Sequence, residues 1–408
     1  MLFKPFKALR PVENFVGDVI SPPYDVLSSK EASEMACNNP LSFLHISKPE
    51  IDLPSDINQY SQQVYDKGAE NFNKLINDKV LKKEEKESFY VYRITMGNHT
   101  QTGVAGLVSA QSYVDGNVKR HEFTLPVKED DRFNQIKTLM AQTGPVLLTY
   151  KDSKDISGII AKVVKEKALY DVKGPNETRH EIWVLSDEGE VSLLQSYFEN
   201  LKYLYIADGH HRMAAGSRVA LELKEKFPNE VSKYDGVLAV AFSEPEMQVL
   251  PYNRVIKDLN GLSAGEIINK IKENGFEVKE VSKAVEPASK LKFGMYLDKK
   301  WYELSYTKEV SKDPVASLDV SVLSDNVFNK IFDIVDLRKD KRIAFVGGIR
   351  GVKELEKLVN EGSFKVAFSL FSTPIIDMIN VADSGNVMPP KSTWFEPKLA
   401  DGLLSNQF

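Results

Sequence analysis

The segment Asp208-Gly209-His210-His211-Arg212 carries the strongest chemical signal in the sequence. It stands between a short apolar stretch and a predicted helix, and a helix start presents unpaired N–H groups and partial positive charge. Gly209 lets the backbone turn tightly beside a ligand, and Arg212 offers two parallel donors to phosphate oxygens. The pattern predicts a phosphate-binding junction, with donors from His210 and His211. The structural alternative is a turn that needs a glycine and a capping aspartate for its own sake.

Asp208 has two predicted roles in this segment, as a cap of the helix or as the partner that holds a histidine tautomer. A metal site on His210 and His211 is the weaker interpretation of the pair. Adjacent helical residues project about 100° apart and do not readily chelate one ion together.

Two carboxylates are candidates for the base that phosphoryl transfer to an alcohol requires. Asp25 follows Pro22-Pro23, and its alternative role is to cap a helix near residues 28–36. Glu122, with His121 beside it, lies in a charge-rich run and could serve as base or as a ligand of Mg²⁺. The alternative for this run is a solvated charged face. The sequence leaves both candidates open.

Further cationic and hydroxyl side chains are candidates for binding phosphate or a substrate carboxylate. Near the C-terminus, the alternative is a proline-stiffened loop packed by Trp394 and Phe395. The single cysteine, Cys37, has no adjacent basic partner and is predicted to be a buried, inert thiol. The substrate-binding candidates are Lys128, Arg132, Arg254, Lys391, Ser392 and Thr393.

The elements around Asp208–Arg212 predict an α/β core. Residues 203–208 and 236–243 are apolar enough for strands, and residues 212–227 between them have a helical apolar face. Earlier in the chain, we predict a helix over 59–80 and a hairpin of residues 88–96 with 102–114. We also predict a short strand at 18–20 and a strand around His45.

A second pattern begins near residue 260, so we predict domains of residues 1–260 and 261–408. Ser263 and Glu266 form a capping-box pair ahead of an apolar helix face. Strands are predicted at 276–281, 342–348 and 365–371, with a helix at 353–359. The second domain is expected either to be a separate unit or to help complete the active site.

Composition excludes several classes of protein. The 408 residues are 42% apolar and 27% charged, which is unlike a disordered chain or a fibrous rod. A net charge of −5 disfavours a nucleic-acid partner. One cysteine excludes a cysteine-rich zinc site, and no apolar run is long enough for a membrane span. We therefore expect a cytoplasmic protein without a membrane partner, and a homodimer stays open.

Several motifs resemble, in order, the family known as domain of unknown function 1015. The carriers include FKALRP (6–11), SPPYDVLS (21–28), KRHEFTLPVKEDDR (119–132), YIADGHHRMAA (205–215) and MPPKSTWFEPKLADGLL (388–404). The GHHR loop is also similar to the phosphate loop of the ParB/sulfiredoxin-like nucleotide-binding fold. Within that group, free L-serine kinases use ATP or ADP and keep an acidic base near the N-terminus. The resemblance thus implies a nucleotide-binding core within a larger mixed-sheet protein.

The relatives implied by this loop can be separated by single residues. Sulfiredoxins place a nucleophilic cysteine where this chain has His210, so sulfinic-acid repair is excluded. ParB proteins carry DNA-reading helices that we do not find in this acidic sequence. The resemblance therefore implies transfer of a phosphoryl group from ATP or ADP, with Mg²⁺, to a free amino acid, L-serine first. The alternatives are a ParB-like nucleotide-binding regulator and a phosphohydrolase.

Overall fold

The computed structural model describes residues 2–408, with the backbone alone at residues 231 and 232. The chain forms two compact units. Unit 1 comprises the chain up to Met247 together with the tail Pro397–Phe408, and unit 2 comprises Gln248–Glu396. This division differs from the predicted one at residue 260. Residues 252–256 pair with later strands of unit 2, whereas the tail returns to pair within unit 1.

Unit 1 contains most of the secondary structure. Its strands are β1 (Phe3–Lys4), β2 (Leu9–Pro11), β3 (Leu81–Lys83), β4 (Phe89–Met96), β5 (His99–Val108), β6 (Val118–Lys119), β7 (Ala141–Gln142), β8 (Val146–Tyr150), β9 (Tyr170–Lys173), β10 (Arg179–Leu185), β11 (Leu204–Asp208), β12 (Val237–Ser243) and, in the tail, β21 (Asn406–Gln407). Its helices are α1 (Val16–Val19), α2 (Ser29–Ala36), α3 (Leu44–Ser47), α4 (Gln62–Asn77), α5 (Ala110–Val114), α6 (Pro126–Leu139), α7 (Lys154–Val163), α8 (Glu188–Asn200), α9 (His210–Lys226) and α10 (Val231–Tyr234).

The main sheet of unit 1 has nine strands in the order β6-β11-β8-β12-β5-β4-β10-β9, with β1 paired to the end of β5. It is a mixed sheet, since β11–β6 and β12–β8 are parallel and the other pairs are antiparallel. Its central strands β8 and β12 are buried along their whole length, which explains their unbroken apolar sequences. The phenylalanine rings at positions 3, 89 and 198 contact one another in the core of unit 1.

Unit 2 is built on a second, six-stranded antiparallel sheet in the order β15-β17-β16-β19-β14-β18. The six strands of this sheet are β14 (Tyr252–Ile256), β15 (Phe276–Val281), β16 (Lys292–Leu297), β17 (Lys300–Tyr306), β18 (Ile343–Gly347) and β19 (Val366–Leu370). Two further strands of unit 2, β13 (Val249–Leu250) and β20 (Trp394–Phe395), pair with each other. Its helices are α11 (Ala264–Glu273), α12 (Asp319–Leu323), α13 (Asn329–Phe332), α14 (Gly351–Asn360) and α15 (Ile375–Asp383).

The predicted elements around Asp208–Arg212 are confirmed, with α9 beginning two residues earlier than expected. The predicted helix at 59–80 is α4, the hairpin is β4–β5, and the capping box of Ser263 and Glu266 begins α11. The predicted elements at 276–281, 342–348, 353–359 and 365–371 are β15, β18, α14 and β19. The mixed α/β fold class is therefore confirmed.

Four local predictions are wrong. Residues 18–20 are not a strand, because α1 extends to Val19, and His45 lies in the short helix α3. The return strand of the hairpin ends at Val108, where Ser109 caps α5 by accepting a hydrogen bond from the Ser112 N–H. Cys37 is exposed at the end of α2 instead of buried. The three errors of secondary structure concern short segments, whose conformation depends on caps and tertiary contacts more than on periodicity.

Candidate functional site

The junction between β11 and α9 is shaped by a bulge and a glycine. The register between β11 and β8 shifts between Ile206 and Asp208, and such bulges re-aim side chains at the end of a strand. Gly209 follows with a φ of 90°, and a Cβ there would lie 3.0 Å from the Arg212 guanidinium. No side chain of the described residues caps α9, so its first N–H groups are available to an anion.

Arg212 is buried between acceptors and carboxylates. Its Nη1 donates to the Pro145 carbonyl oxygen at 2.5 Å, and its Nη2 lies 3.4 Å from an Asp208 oxygen and 3.7 Å from an Asp25 oxygen. Its Nε is buried without a hydrogen-bond partner among the described residues. Arg212 is thus a fixed, desolvated positive charge at the junction and not an exposed fork.

Asp208 performs neither of its predicted roles. Its carboxylate lies 3.3 Å from Lys398 Nζ and 3.4 Å from Arg212 Nη2 and makes no capping bond to α9. Burial by itself raises the pKa of Asp208, but Lys398 and Arg212 outweigh that effect and hold the pKa below its usual range. Asp208 therefore stays ionised and fixes two cations beside the helix start.

The histidine tautomers are held by the backbone of residues 121–125 instead. His211 Nε2 accepts a hydrogen bond from the Leu125 N–H at 3.0 Å, and His210 Nε2 accepts a longer one from the His121 N–H at 3.5 Å. The His121 and His210 rings meet edge to face. In a neutral imidazole the other nitrogen carries the proton, so Nδ1 is the donor in both His210 and His211.

Burial keeps these histidines neutral. It lowers the pKa of His121 to about 4 and holds the pKa of His210 well below the usual value, with His121 adding to the effect. The pKa of His211 is also lowered, first by burial and then by the positive charge of Lys128. The three rings therefore act near neutral pH as hydrogen-bonding groups, and the positive charge of the site comes from lysine and arginine.

The two candidate bases approach different residues of this junction. Asp25, in a single helical turn at Tyr24–Val26, approaches Arg212. It does not cap α2, because Ser28 and Glu31 form a capping box there. Glu122 is half exposed, and its Oε2 lies 3.9 Å from His210 Nδ1.

A small cavity lies next to Arg212 and contains oppositely charged groups. It encloses about 30 Å³, which is enough for a water molecule. Arg132 is held by Asp131 at 2.6 Å, and its guanidinium stacks 3.9 Å from the centre of the Tyr24 ring. The lining includes Tyr24, Ser47, Arg132, Thr143, Arg212 and Asp401.

Asp401 is a residue of this cavity that sequence reasoning missed. One of its buried carboxylate oxygens has no hydrogen-bond partner within residues 2–408. Burial raises the pKa of Asp401 to about 7, with Arg212 opposing the rise and Asp25 adding to it. Asp401 and Lys398 both come from the tail. The motif at 388–404 contains both, but nothing in the sequence alone indicates that they return to Asp208 and Arg212.

The substrate-binding candidates divide between the two units. Arg132 and Lys128 belong to unit 1, and Lys128 is exposed on the first turn of α6, close enough to influence His211. Arg254, Lys391, Ser392 and Thr393 belong to unit 2. The structure thus brings the junction, both candidate bases, His121, Lys128 and Arg132 into one unit, without the four candidates of unit 2.

In unit 2, Arg254 has a structural environment. It is completely buried on β14, donates to the carbonyl oxygens of Tyr252 and Lys391, and lies over the Phe345 ring. Burial lowers the pKa of its guanidinium to about 9. Ser392 donates its hydroxyl to the Pro389 carbonyl oxygen. These contacts hold the backbone of the loop around Lys391.

No group of three or more histidine, cysteine or acidic side chains in the described part of the chain is arranged to hold a metal ion. Within the same residues, no helix has the length and apolar character needed to cross a membrane.

The profile of the family described as "Protein of unknown function (DUF1015)" matches residues 3–321, and the chain belongs to this family. A search of curated proteins gave no match.

Several solved structures are similar over 74% of this chain. A variant of a free serine kinase in complex with AMP has 13% identity, 91% coverage of its own chain and a TM-score of 0.35. A conserved hypothetical protein from Pyrococcus furiosus has 15% identity, 94% coverage and a TM-score of 0.32. SbnI with a C-terminal truncation, from Staphylococcus aureus, has 9% identity, 86% coverage and a TM-score of 0.39.

Proposed function

We propose that this protein is a phosphotransferase that moves a phosphoryl group from ATP or ADP to the hydroxyl of a free amino acid, with L-serine as the preferred acceptor. The observation that carries the proposal is the uncapped start of α9. Around it stand a buried arginine and two histidines whose Nδ1 atoms carry donor protons. Oriented N–H groups and fixed cations are the groups that stabilise a phosphoryl group during transfer.

Asp25 is our choice for the base. The acceptor oxygen attacks the terminal phosphorus, the bond to the bridging oxygen breaks, and the hydroxyl proton passes to the Asp25 carboxylate. Asp25 approaches Arg212, which also lines the cavity of Tyr24, Arg132 and Asp401. Glu122 instead contacts His210. In this proposal Glu122 is not the base.

The cavity supports an amino-acid acceptor through its chemistry. Buried arginines suit a carboxylate and a buried aspartate suits an ammonium group, and the cavity has both kinds of side chain in Arg132, Arg212 and Asp401. Its volume of about 30 Å³ takes only water, so an acceptor has to widen it.

Mg²⁺ fits the proposal as a companion of the nucleotide. It is commonly bound through one or two carboxylates together with substrate phosphates, so it does not need a preformed cluster of protein ligands, and the described residues contain none. Asp25 and Glu122 are the carboxylates at this junction that could contact it. Bound there, the ion would neutralise charge on the phosphates.

The direct test is to incubate the folded protein with Mg²⁺, L-serine and either ATP or ADP, and to follow O-phosphoserine by mass spectrometry. We expect product with at least one nucleotide. Nucleotide binding without product would favour the ParB-like regulator. Release of phosphate at a rate that is indifferent to serine would favour the phosphohydrolase.

Substitution of the two carboxylates tests the choice of base. We expect Asp25→Asn to lower kcat by about 10²- to 10⁴-fold, the usual contribution of a general base, while nucleotide affinity changes little. Glu122→Gln should keep most of the turnover. The reverse result in single-turnover assays would move the base to Glu122.

Arg212 is tested by nucleotide titration. Arg212→Ala should weaken binding by about 10- to 100-fold, because a fixed positive charge beside the phosphates is lost and the neighbouring carboxylates are left without their cation. Arg212→Lys should recover part of the loss. Calorimetry giving the wild-type affinity for both variants would remove Arg212 from the nucleotide site.

A further inference from the structure

An exposed apolar segment borders the junction. Phe123, Leu125 and Val127 alternate with Thr124 and Pro126, and their exposed fractions are 52%, 54% and 63%. Single exposed apolar residues are ordinary on protein surfaces, but a contiguous group beside a polar site indicates a binding surface. The function proposed above assigns no role to this group.

The backbone of this segment is fixed to the junction. The Leu125 N–H donates to His211 Nε2 at 3.0 Å, and at the upstream end the His121 N–H donates to His210 Nε2. Thr124 donates its hydroxyl to Glu129 at 2.9 Å, and Arg218 holds the same carboxylate from α9. The apolar side chains are therefore carried on an anchored backbone at the edge of the phosphate junction.

The position of Phe123 suits one part of a nucleotide. Phe123 is two residues from Leu125, whose amide touches His211, so consecutive Cα spacings place Phe123 within about 8 Å of that contact. A nucleotide whose phosphates lie at the start of α9 must put its base on a neighbouring surface. Aromatic rings bind nucleobases by stacking, which needs an exposed ring face and no hydrogen-bond partner.

We propose that Phe123, flanked by Leu125 and Val127, is the platform on which the base of the bound nucleotide stacks. This inference rests on the proposed nucleotide site at Asp208–Arg212. The segment would then divide the ligand into two parts, with phosphates held by the junction and the base held by apolar contact.

The test compares ADP with inorganic tripolyphosphate, which has phosphates and no base, by calorimetry in the presence of Mg²⁺ and the full chain. We expect Phe123→Ala to weaken ADP binding by about 5- to 100-fold, the usual effect of losing one base–aromatic stack, and to leave tripolyphosphate binding unchanged. Phe123→Trp should bind ADP with the wild-type affinity, and bound ADP should quench the fluorescence of the introduced indole. Tyr60→Ala, another exposed aromatic truncation, is the matched control and should bind both ligands normally.

The outcomes separate this inference from the proposed function. If Phe123→Ala binds ADP as the wild type does, the platform is wrong while the phosphate junction stands. Equal loss of both ligands would also overturn it, because the residue would then be supporting the junction itself. If the wild type binds neither ligand, the nucleotide site fails and the platform fails with it. Normal binding without O-phosphoserine would contradict only the transferase proposal.

Discussion

At the scale of single residues, Gly209 decides the geometry of the candidate site. Its φ of 90° is a region that other residues enter at a cost of about 1–2 kcal/mol, and the Arg212 guanidinium packs where a Cβ would stand. A glycine at this position thus allows both the turn after β11 and the close packing of the Arg212 guanidinium. Its identity was readable from the sequence, but the reason for it, the folded-back Arg212, was not.

We expect Gly209→Ala to lower the free energy of unfolding by about 1–3 kcal/mol and to weaken nucleotide binding, because the methyl group displaces Arg212. Gly158→Ala is the control, since Gly158 lies within α7 with open space where a Cβ would stand, and it should stabilise by about 0.5–1 kcal/mol. Urea unfolding measures both. Equal effects would show that Gly209 has no special conformation.

At the scale of elements, the short helix α3 is held by a histidine ion pair. His45 Nδ1 lies 2.8 Å from an Asp52 oxygen, and its Nε2 lies 3.1 Å from the Asn39 carbonyl oxygen. Two acceptors favour the doubly protonated ring, so the pKa of His45 is raised, chiefly by the bond to Asp52. The pKa of Asp52 is lowered, since His45 and Asn71 outweigh burial.

The pH dependence follows from these two directions. A raised histidine pKa gives stability that is present below the unfolded pKa of about 6.5 and is lost as pH rises through the folded pKa. The lowered Asp52 pKa gives stability that is lost as pH falls below about 4. A double-mutant cycle of His45→Gln and Asp52→Asn should give a coupling of about 1 kcal/mol at pH 5.5 that fades at pH 9. A coupling that persists at pH 9 would contradict the imidazolium.

At the scale of the whole molecule, the chain leaves and re-enters unit 1 at neighbouring points. The Glu396 N–H donates to the Gln248 carbonyl oxygen at 3.3 Å, and β13 pairs antiparallel with β20, Val249 opposite Phe395. Unit 2 is therefore an insertion whose two ends meet, and the tail that follows supplies Lys398 and Asp401 to the site of unit 1.

Deleting Leu250–Trp394 and joining Val249 to Phe395 through Asn-Gly should leave unit 1 folded, because the new hairpin needs only a two-residue turn. We expect one cooperative unfolding transition and unchanged ADP affinity, measured by circular dichroism and calorimetry. A folded variant without ADP binding would assign nucleotide recognition to unit 2 and restore Arg254 and Lys391 as ligand contacts.

The amino-acid sequence by itself determined the elements whose conformation is specified by residues within the element. The apolar run of β11, the apolar face of α9 and the capping box of α11 each specify the conformation of their own element. The Asp208–Arg212 segment indicated the junction between β11 and α9. Short segments such as α1 and α3 were misread, because a single turn gains its stability from tertiary contacts.

Only the tertiary structure decided which groups share the site. Arg212 and Asp401 are 189 positions apart, yet they line one cavity, because the tail returns to unit 1 after the whole of unit 2. Arg254 and Lys391 carry the same kinds of charge but are kept in the other unit, where buried contacts use the Arg254 guanidinium. Charge and hydrogen-bonding type can be read residue by residue, whereas burial, pairing and the resulting pKa depend on segments that the chain brings together only on folding.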